Sequence, residues 1–408
     1  MTLVMDTSER SGYRDFEWAV KLNRFSLKLL GLWPMTEDNV PENIMYKSRP
    51  LIIILILTFG FLVPSIHSLI RIRSNIMLLI DNLQYTLPTI TCAIRVVVFW
   101  WKKEAVTSLL NMVAEDWLKI KSAQERSKMI GKAQTARIII TCAYGAMMIA
   151  FIFTGILPIF GISARYLTNT SDPDKLLPFQ TYYLYDVTKR PQYEFTFIVQ
   201  ILCMVFGVMS YTGIDNLLGL LVFHISGQFD ILRNRIMHMN DYIDFRDSVR
   251  SSVIDHTRLL RAIAIIEDTF NIILLALFLY FGILFACYGF LIISVIEKGN
   301  DLSVTRFIYL VCILINTFGH MCVYCAVGEI LVAQCEHIHY TVYNYKWYTL
   351  DPRNVKVLLF LMVRSSKPTY LTAGKIFPMT MSTFCSNDNT VLYAVNLTFS
   401  QNVNAMSQ

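Results

Sequence analysis

Charge is what this chain has least of. Asp, Glu, Lys and Arg make up only 16% of its 408 residues, against about 25% in ordinary soluble domains. So little charge cannot clothe the two or three soluble domains that such a length would otherwise suggest. The fingerprints of catalysis are missing too. There is no Gly-x-Ser-x-Gly, no phosphate-binding loop, no His-Glu-x-x-His and no dinucleotide-binding glycine pattern. We therefore expect neither an enzyme nor a cofactor, and no nucleic-acid partner. The nine cysteines all fall in or at the ends of apolar stretches, which argues against a disulfide framework. No apolar core followed by small cleavage residues precedes residue 51, so no secretory leader is expected. Internal repeats and low-complexity tracts are absent as well.

Apolar residues, at 54%, fill the space that charge leaves. Several runs exceed the ~20 residues needed to cross a ~30 Å hydrocarbon layer. Seven candidate spans lie at about 51–70, 76–99, 136–158, 196–222, 268–296, 304–334 and 372–397. The first, "LIIILILTFGFLVPSIHSLI", is plain. The second carries Asp81 and Arg95, and the seventh is interrupted by Ser386-Asn387-Asp388-Asn389. Runs this long must satisfy their backbones internally, so they predict helices. The expected fold is an all-α membrane protein of seven transmembrane helices.

Lys and Arg orient such a bundle. With the N-terminus inside, segments 1–50, 100–133, 223–265 and 336–371 hold 25 basic residues, and the three outer segments hold 8. The split predicts a cytoplasmic N-terminus and an extracellular C-terminus, the reverse of a G-protein-coupled receptor. Asn169, in the acceptor triplet Asn169-Thr170-Ser171 of the outer loop 159–195, is the candidate glycosylation site. Ahead of the first span, Trp18, Leu22, Phe25, Leu29 and Leu32 recur at helical spacing beside Lys21, Arg24 and Lys28. This predicts an amphipathic helix, either on the inner membrane surface or packed on the bundle. The chain thus divides into a cytoplasmic stretch 1–50, spans one to four within 51–222, spans five and six with their inner segments within 223–371, and a last span with its tail within 372–408.

Metal ligands are tempting in "CVYCAVGEILVAQCEHIHY", where Cys322 and Cys325 precede Cys335, His337 and His339. The stretch is apolar and helical, cysteine packs well as a small residue, and histidines two apart face different sides; no metal is expected. Asp81, Asp215 and Glu329 lie in or near spans, where ionisable groups point to function or to interhelical pairing. A small apolar pocket is expected in the outer halves of spans two to five. Its candidates are Asn82, Tyr85, Thr86 and Thr89 in the second span, and Met147, Phe151 and Thr154 in the third. Ile201, Met204 and Val208 in the fourth and Tyr280 in the fifth complete the set.

Four inner stretches carry a resemblance. "DNLLGLLVFHISGQFDILRNRI" (215–236), "DHTRLLRAIAIIEDTFN" (255–271), "YCAVGEILVAQCEHIHYTVYNYKWYTL" (324–350) and "LTAGKIFPMTMSTF" (371–384) closely resemble insect odorant receptors. So do the outer loop "LPFQTYYLYDVTKRPQYEF" (177–195) and "LKLLGLWP" before the first span, the latter in the manner of ant and bee members. The resemblance runs from about residue 18 to 384. It implies a ligand-gated cation channel in the plasma membrane of olfactory sensory neurons. A tuning subunit would bind a small volatile molecule and join an odorant co-receptor in a heterotetramer. The inner ends of helices 4–7 would form a cytoplasmic anchor. Matched residue by residue, His224, Gln228, His256, Glu267, Glu329, Tyr343, Trp347 and Tyr348 would belong to that anchor, with Gly374 and Lys375 opening span seven. Leu397, Ser400 and Gln401 would lie at the pore.

Two alternatives share seven crossings. A gustatory receptor has the same inverted topology but ends in a Thr-Tyr…Gln-Phe signature, where this chain has Thr383-Phe384 and no later Gln-Phe. A G-protein-coupled receptor needs the opposite orientation. The tail after Cys385 departs from the family's apolar pattern. It reads either as a wet, pore-facing patch in which Asp388 attracts cations, or as an alternative or missing last exon.

Overall fold

A computed structural model describes residues 7–34, 44–119, 122–160, 177–179, 181–239, 245–298 and 304–383. Ten α-helices account for nearly all of this: α1 (Thr7–Leu29), α2 (Ile44–Leu57), α3 (Val63–Arg71), α4 (Ile76–Trp101), α5 (Lys103–Leu118), α6 (Ala123–Phe151), α7 (Gln192–Met237), α8 (Phe245–Lys298), α9 (Val304–Asn344) and α10 (Pro352–Ser365). A π-helical turn, Thr58–Leu62, fuses α2 to α3, and a second, Ile152–Ile156, extends α6. Among the described residues six helical units are long and apolar enough to cross a membrane: α2–α3, α4, α6, α7, α8 and α9. They run alternately up and down. The upper end carries segment 177–191, and the lower end carries α5 and α10.

Local sequence sets the helix starts. Asn75 caps α4 by accepting from the backbone N–H groups of Met77 and Leu78. Ser122 and Glu125 form a reciprocal capping box on α6. Helices α7, α8 and α9 hold 46, 54 and 41 residues, or about 60–80 Å at 1.5 Å per residue. That is at least twice the ~30 Å hydrocarbon thickness. The stretches 223–236 and 245–265, expected as parts of an inner connecting segment, are therefore continuations of membrane helices below the apolar layer.

Helix α1 packs on the bundle while part of its apolar stripe stays exposed, as a membrane-surface helix would. Phe16, Ala19, Val20, Leu27 and Leu30 are its buried residues, whereas Phe25 is 66% exposed and Trp18 and Leu29 are each 39% exposed. Of the stripe read from spacing, Trp18, Phe25 and Leu29 face outwards, Leu22 is half-buried and Leu32 is buried, and a neighbouring face of the helix packs on the bundle. Ser26 is a point of close approach, because a Cβ on Gly213 of α7 would meet it at 2.8 Å.

The lower half is held by buried charge. Asp116 of α5 lies 3.1 Å from Nε2 of His224 on α7 and accepts from the Arg258 guanidinium of α8. Burial by itself raises the Asp116 carboxyl, but the hydrogen bonds and charges of His224 and Arg258 outweigh it and hold its pKa at about 2. A folded pKa below the usual 3.8 means stability that is fully present above pH ~4 and lost as pH falls towards ~2. Asp116→Asn is expected to destabilise the protein by about 3 kcal/mol at neutral pH. It should also flatten the loss of melting temperature between pH 4 and 2 in detergent. A variant with the native melting curve at both pH values would refute this.

Residues 372–378, expected to begin the seventh transmembrane helix, form a two-stranded hairpin instead. Its strands are β1 (Thr372–Ala373) and β2 (Phe377–Pro378), with Gly374 and Lys375 at positive φ in the turn. Glycine accepts that conformation freely; Lys375 is held in it. The turn docks on α8, where the Gly374 N–H donates to the Asn271 carbonyl at 2.9 Å and Thr372 donates to Glu267 at 2.5 Å. Phe377 stacks on Phe278, with ring centroids 5.0 Å apart. On the α9 side Glu329 accepts from the Met381 N–H at 3.3 Å. Gly328 lets the Met379 carbonyl reach the helix, since a Cβ there would be driven into that oxygen. Gly328→Ala is therefore expected to cost about 1–3 kcal/mol and to lift the hairpin off α9. Protease sensitivity near residue 380 would report it, and unchanged cleavage would count against it. The remainder of span seven, from residue 384, lies outside the described residues.

Candidate functional site

A chamber of about 210 Å³ opens between the upper halves of α4, α6, α7, α8 and α9. Eight of the sequence-derived candidates line it: Tyr85 and Thr89 on α4, Met147, Phe151 and Thr154 on α6 and its π turn, Met204 and Val208 on α7, and Tyr280 on α8. The other three do not. Asn82 and Thr86 turn towards α3, where the Ser65 hydroxyl lies 3.1 Å from Asn82 Oδ1 and 2.5 Å from the Thr86 hydroxyl. Ile201 abuts the π turn at Gly155, where a Cβ would meet it at 3.2 Å. Depth along the helix was correct for these residues; helical phase was not.

Sequence reasoning named no residue of the roof or of one wall. The roof is Phe179, whose ring lies 4.6 Å from Phe61 and 5.4 Å from Tyr85. Its N–H donates to Gln200 Oε1 at 3.0 Å, and Gln200 Nε2 donates in turn to Thr181 at 2.8 Å. One buried amide on α7 thus pins the 177–181 segment over the chamber. The missed wall is α9, with Ile313, Asn316, Thr317 and His320. Both π turns reach the chamber, through Phe61 and Thr154, a placement common for such irregularities at functional sites. Pro88 lines it as well, and its ring nitrogen leaves the Gln84 carbonyl without its usual helical donor.

Below the chamber sits a buried ion pair. Arg95 of α4 is fully buried and contacts Asp215 of α7 at 3.2 Å and the Thr91 hydroxyl at 3.1 Å. Its guanidinium carbon lies 4.0 Å from the Tyr211 ring centroid, a cation–π contact. Arg95 of the second span and Asp215 of the fourth thus neutralise each other across two helices. Among the described residues no three His, Cys, Asp or Glu side chains come together as a metal site. His337 is exposed, and His339 instead sits 3.3 Å from the Met362 carbonyl of α10.

A family model described as seven-transmembrane odorant receptor matches residues 75–390. The chain belongs to the odorant receptor family. Among curated relatives, odorant receptor 13a of Drosophila melanogaster is 20% identical over 387 residues, covering 88% of this chain and 90% of that protein. Odorant receptor 85b of the same fly is 24% identical over 289 residues, covering 69% of this chain and 72% of that one. In architecture the receptor resembles olfactory receptor OR5 of Machilis hrabei. The TM-score is 0.78 at 16% identity, over 93% of this chain and 97% of that one. The same OR5 in complex with eugenol gives 0.76 at 15% identity, over 97% and 100%. At such identity the likeness shows a common fold.

The residues matched to the anchor divide into three groups in this receptor. His224, Gln228 and His256 are in the lower core: Gln228 donates to the Met129 sulfur at 3.4 Å, and the His256 ring lies 6.3 Å from Phe229. Glu267, Glu329, Gly374 and Lys375 belong to the hairpin dock, with Lys375 3.7 Å from Asp268. Tyr343, Trp347 and Tyr348 stand exposed at the foot of α9. Asn169, Asp388, Leu397, Ser400 and Gln401 lie outside the described residues.

Proposed function

We propose that this receptor is the odorant-tuning subunit of a ligand-gated, non-selective cation channel, not an enzyme, and that the upper chamber is its odorant site. The observation that carries this reading is the chamber itself. It is apolar, roofed by an aromatic loop residue, walled by five helices and provided with a few hydroxyls, as small-ligand sites are. That OR5 of Machilis hrabei, which shares the fold, has been solved with eugenol supports a volatile organic ligand here. The mechanism is a population shift: a ligand that binds the open form better than the closed form moves the pore equilibrium by that difference.

In this reading the N-terminus is cytoplasmic and the C-terminus extracellular, as the basic residues argue. The receptor assembles with an odorant co-receptor as a heterotetramer in the plasma membrane of olfactory neurons. The exposed Tyr343, Trp347 and Tyr348 meet a neighbouring subunit, and the pore runs beside Leu397, Ser400 and Gln401. Current recordings with an odorant panel, with and without a co-receptor, test it. Ligand-evoked current only with the co-receptor is expected. Ligand-evoked G-protein signalling without current, or an N-terminal tag accessible on intact cells, would overturn it.

A further inference from the structure

The upper chamber has a second space directly below it. A second cavity, of about 440 Å³, lies between the lower-lying parts of α6, α7 and α9, with apolar walls such as Ile139, Ala143 and Val327. The two cavities share four lining residues: Met147, Tyr211, Asn316 and His320. These four stand at the boundary between the two spaces, where a neck joining them would lie, and three of them are polar.

Among the described residues those three have hydrogen-bonding capacity to spare. Among the described residues, no hydrogen bond engages the His320 imidazole, the Asn316 amide or the Tyr211 hydroxyl. The Tyr211 ring is held on one side by Arg95 at 4.0 Å and on the other by the edge of His320, with centroids 5.7 Å apart. Its position is therefore fixed by the buried Arg95–Asp215 pair behind it. A neutral imidazole offers one donor and one acceptor, an amide offers both, and a phenol offers both. Within the apolar layer such groups gain from a ligand that pairs them. The Thr212 hydroxyl, on the wall of the lower space and 3% exposed as a residue, is buried and has no partner among the described residues, whereas Asn316 is exposed and His320 half-buried.

Resting on the reading that the upper chamber holds the odorant, we infer that the receptor's ligand class carries its oxygen function between two apolar arms. An internal ketone, internal ester or secondary alcohol meets this description. One arm fills the upper chamber, the other enters the lower space, and His320 with Asn316 and Tyr211 pairs the oxygen at the neck. A terminal alcohol or aldehyde of the same carbon number must either strand its oxygen in an apolar space or leave one space empty. His320 is then a specificity-determining residue whose effect depends on where along the ligand the oxygen lies.

Positional isomers of one straight-chain ketone, the terminal aldehyde and the alkane of equal length test this on the receptor expressed with its co-receptor. The mid-chain ketones are expected to be more potent than the terminal aldehyde and the alkane by about tenfold, the value of one well-made hydrogen bond. His320→Leu should erase that ranking by weakening the mid-chain ketones alone, and His320→Gln, which keeps a donor and an acceptor, should retain most of it. Equal potency of all isomers, or preference for a terminal oxygen, would overturn the inference. If His320→Leu fails to reach the surface, the native ranking and the His320→Gln variant still decide the matter. Gly207→Phe separates the two levels of the argument. Isomer responses that survive it unchanged would show that the odorant binds elsewhere, whereas their loss together with a flat native ranking would refute the neck alone.

Discussion

Gly207→Phe should silence the receptor to every odorant while leaving its amount at the cell surface unchanged. Gly207 lines the upper chamber on α7, and a Cβ built on it meets nothing within 4 Å. The new side chain would therefore start into empty space and its ring would fill much of a chamber of about 210 Å³. Helix propensity also favours the change, since glycine is the poorer helix former by several tenths of a kcal/mol. A folded but unresponsive receptor is the expected phenotype. At least a hundredfold loss of sensitivity is anticipated, or about 2.7 kcal/mol of ligand binding. Surface biotinylation paired with concentration–response recordings reads both halves, and full sensitivity at normal surface level would refute the assignment.

Arg95→Met is expected to have the largest effect on folding. Removing one member of a buried pair leaves the other charge uncompensated and costs about 3–5 kcal/mol. Here that charge is Asp215, whose side chain is 14% exposed. Replacing both, Arg95→Met with Asp215→Leu, should recover much of the loss, because an apolar pair of similar volume suits the surroundings. The double variant would nevertheless release the Tyr211 ring from its cation–π contact. Recovered surface expression with altered odorant selectivity is the expected pairing. Thermal melts of the solubilised single and double variants decide it, and a single variant as stable as the native receptor would contradict the account.

Much of this architecture was legible because lipid imposes few solutions. Long apolar runs marked six of the crossings, and the aromatics and methionines of the second to fifth spans marked the level of the chamber. What remained hidden has physical causes. Apolar composition gives depth but not helical phase, so Asn82 and Thr86 were grouped with Tyr85 although Ser65 draws them to α3. Hydropathy ends where lipid ends but helices do not, so the lower thirds of α7 and α8 looked like connecting chain. Nothing in the sequence set Asn316 and His320 apart within their apolar run, because only the packing of α9 beside α7 brings them to the chamber. Phe179 was concealed differently, since its role depends on a loop folding back onto Gln200. The turn at Gly374 and Lys375 was masked by the helical expectation for the residues around it. Positive φ at two successive residues is a property that only the folded chain reveals.

The most direct test of the central claim is a cryo-electron microscopy map of the receptor with its co-receptor at saturating agonist. Ligand density bounded by Tyr85, Phe151, Met204 and Tyr280, beneath Phe179, is the predicted result. An empty chamber in a channel that opens to the same agonist, with density elsewhere, would contradict it.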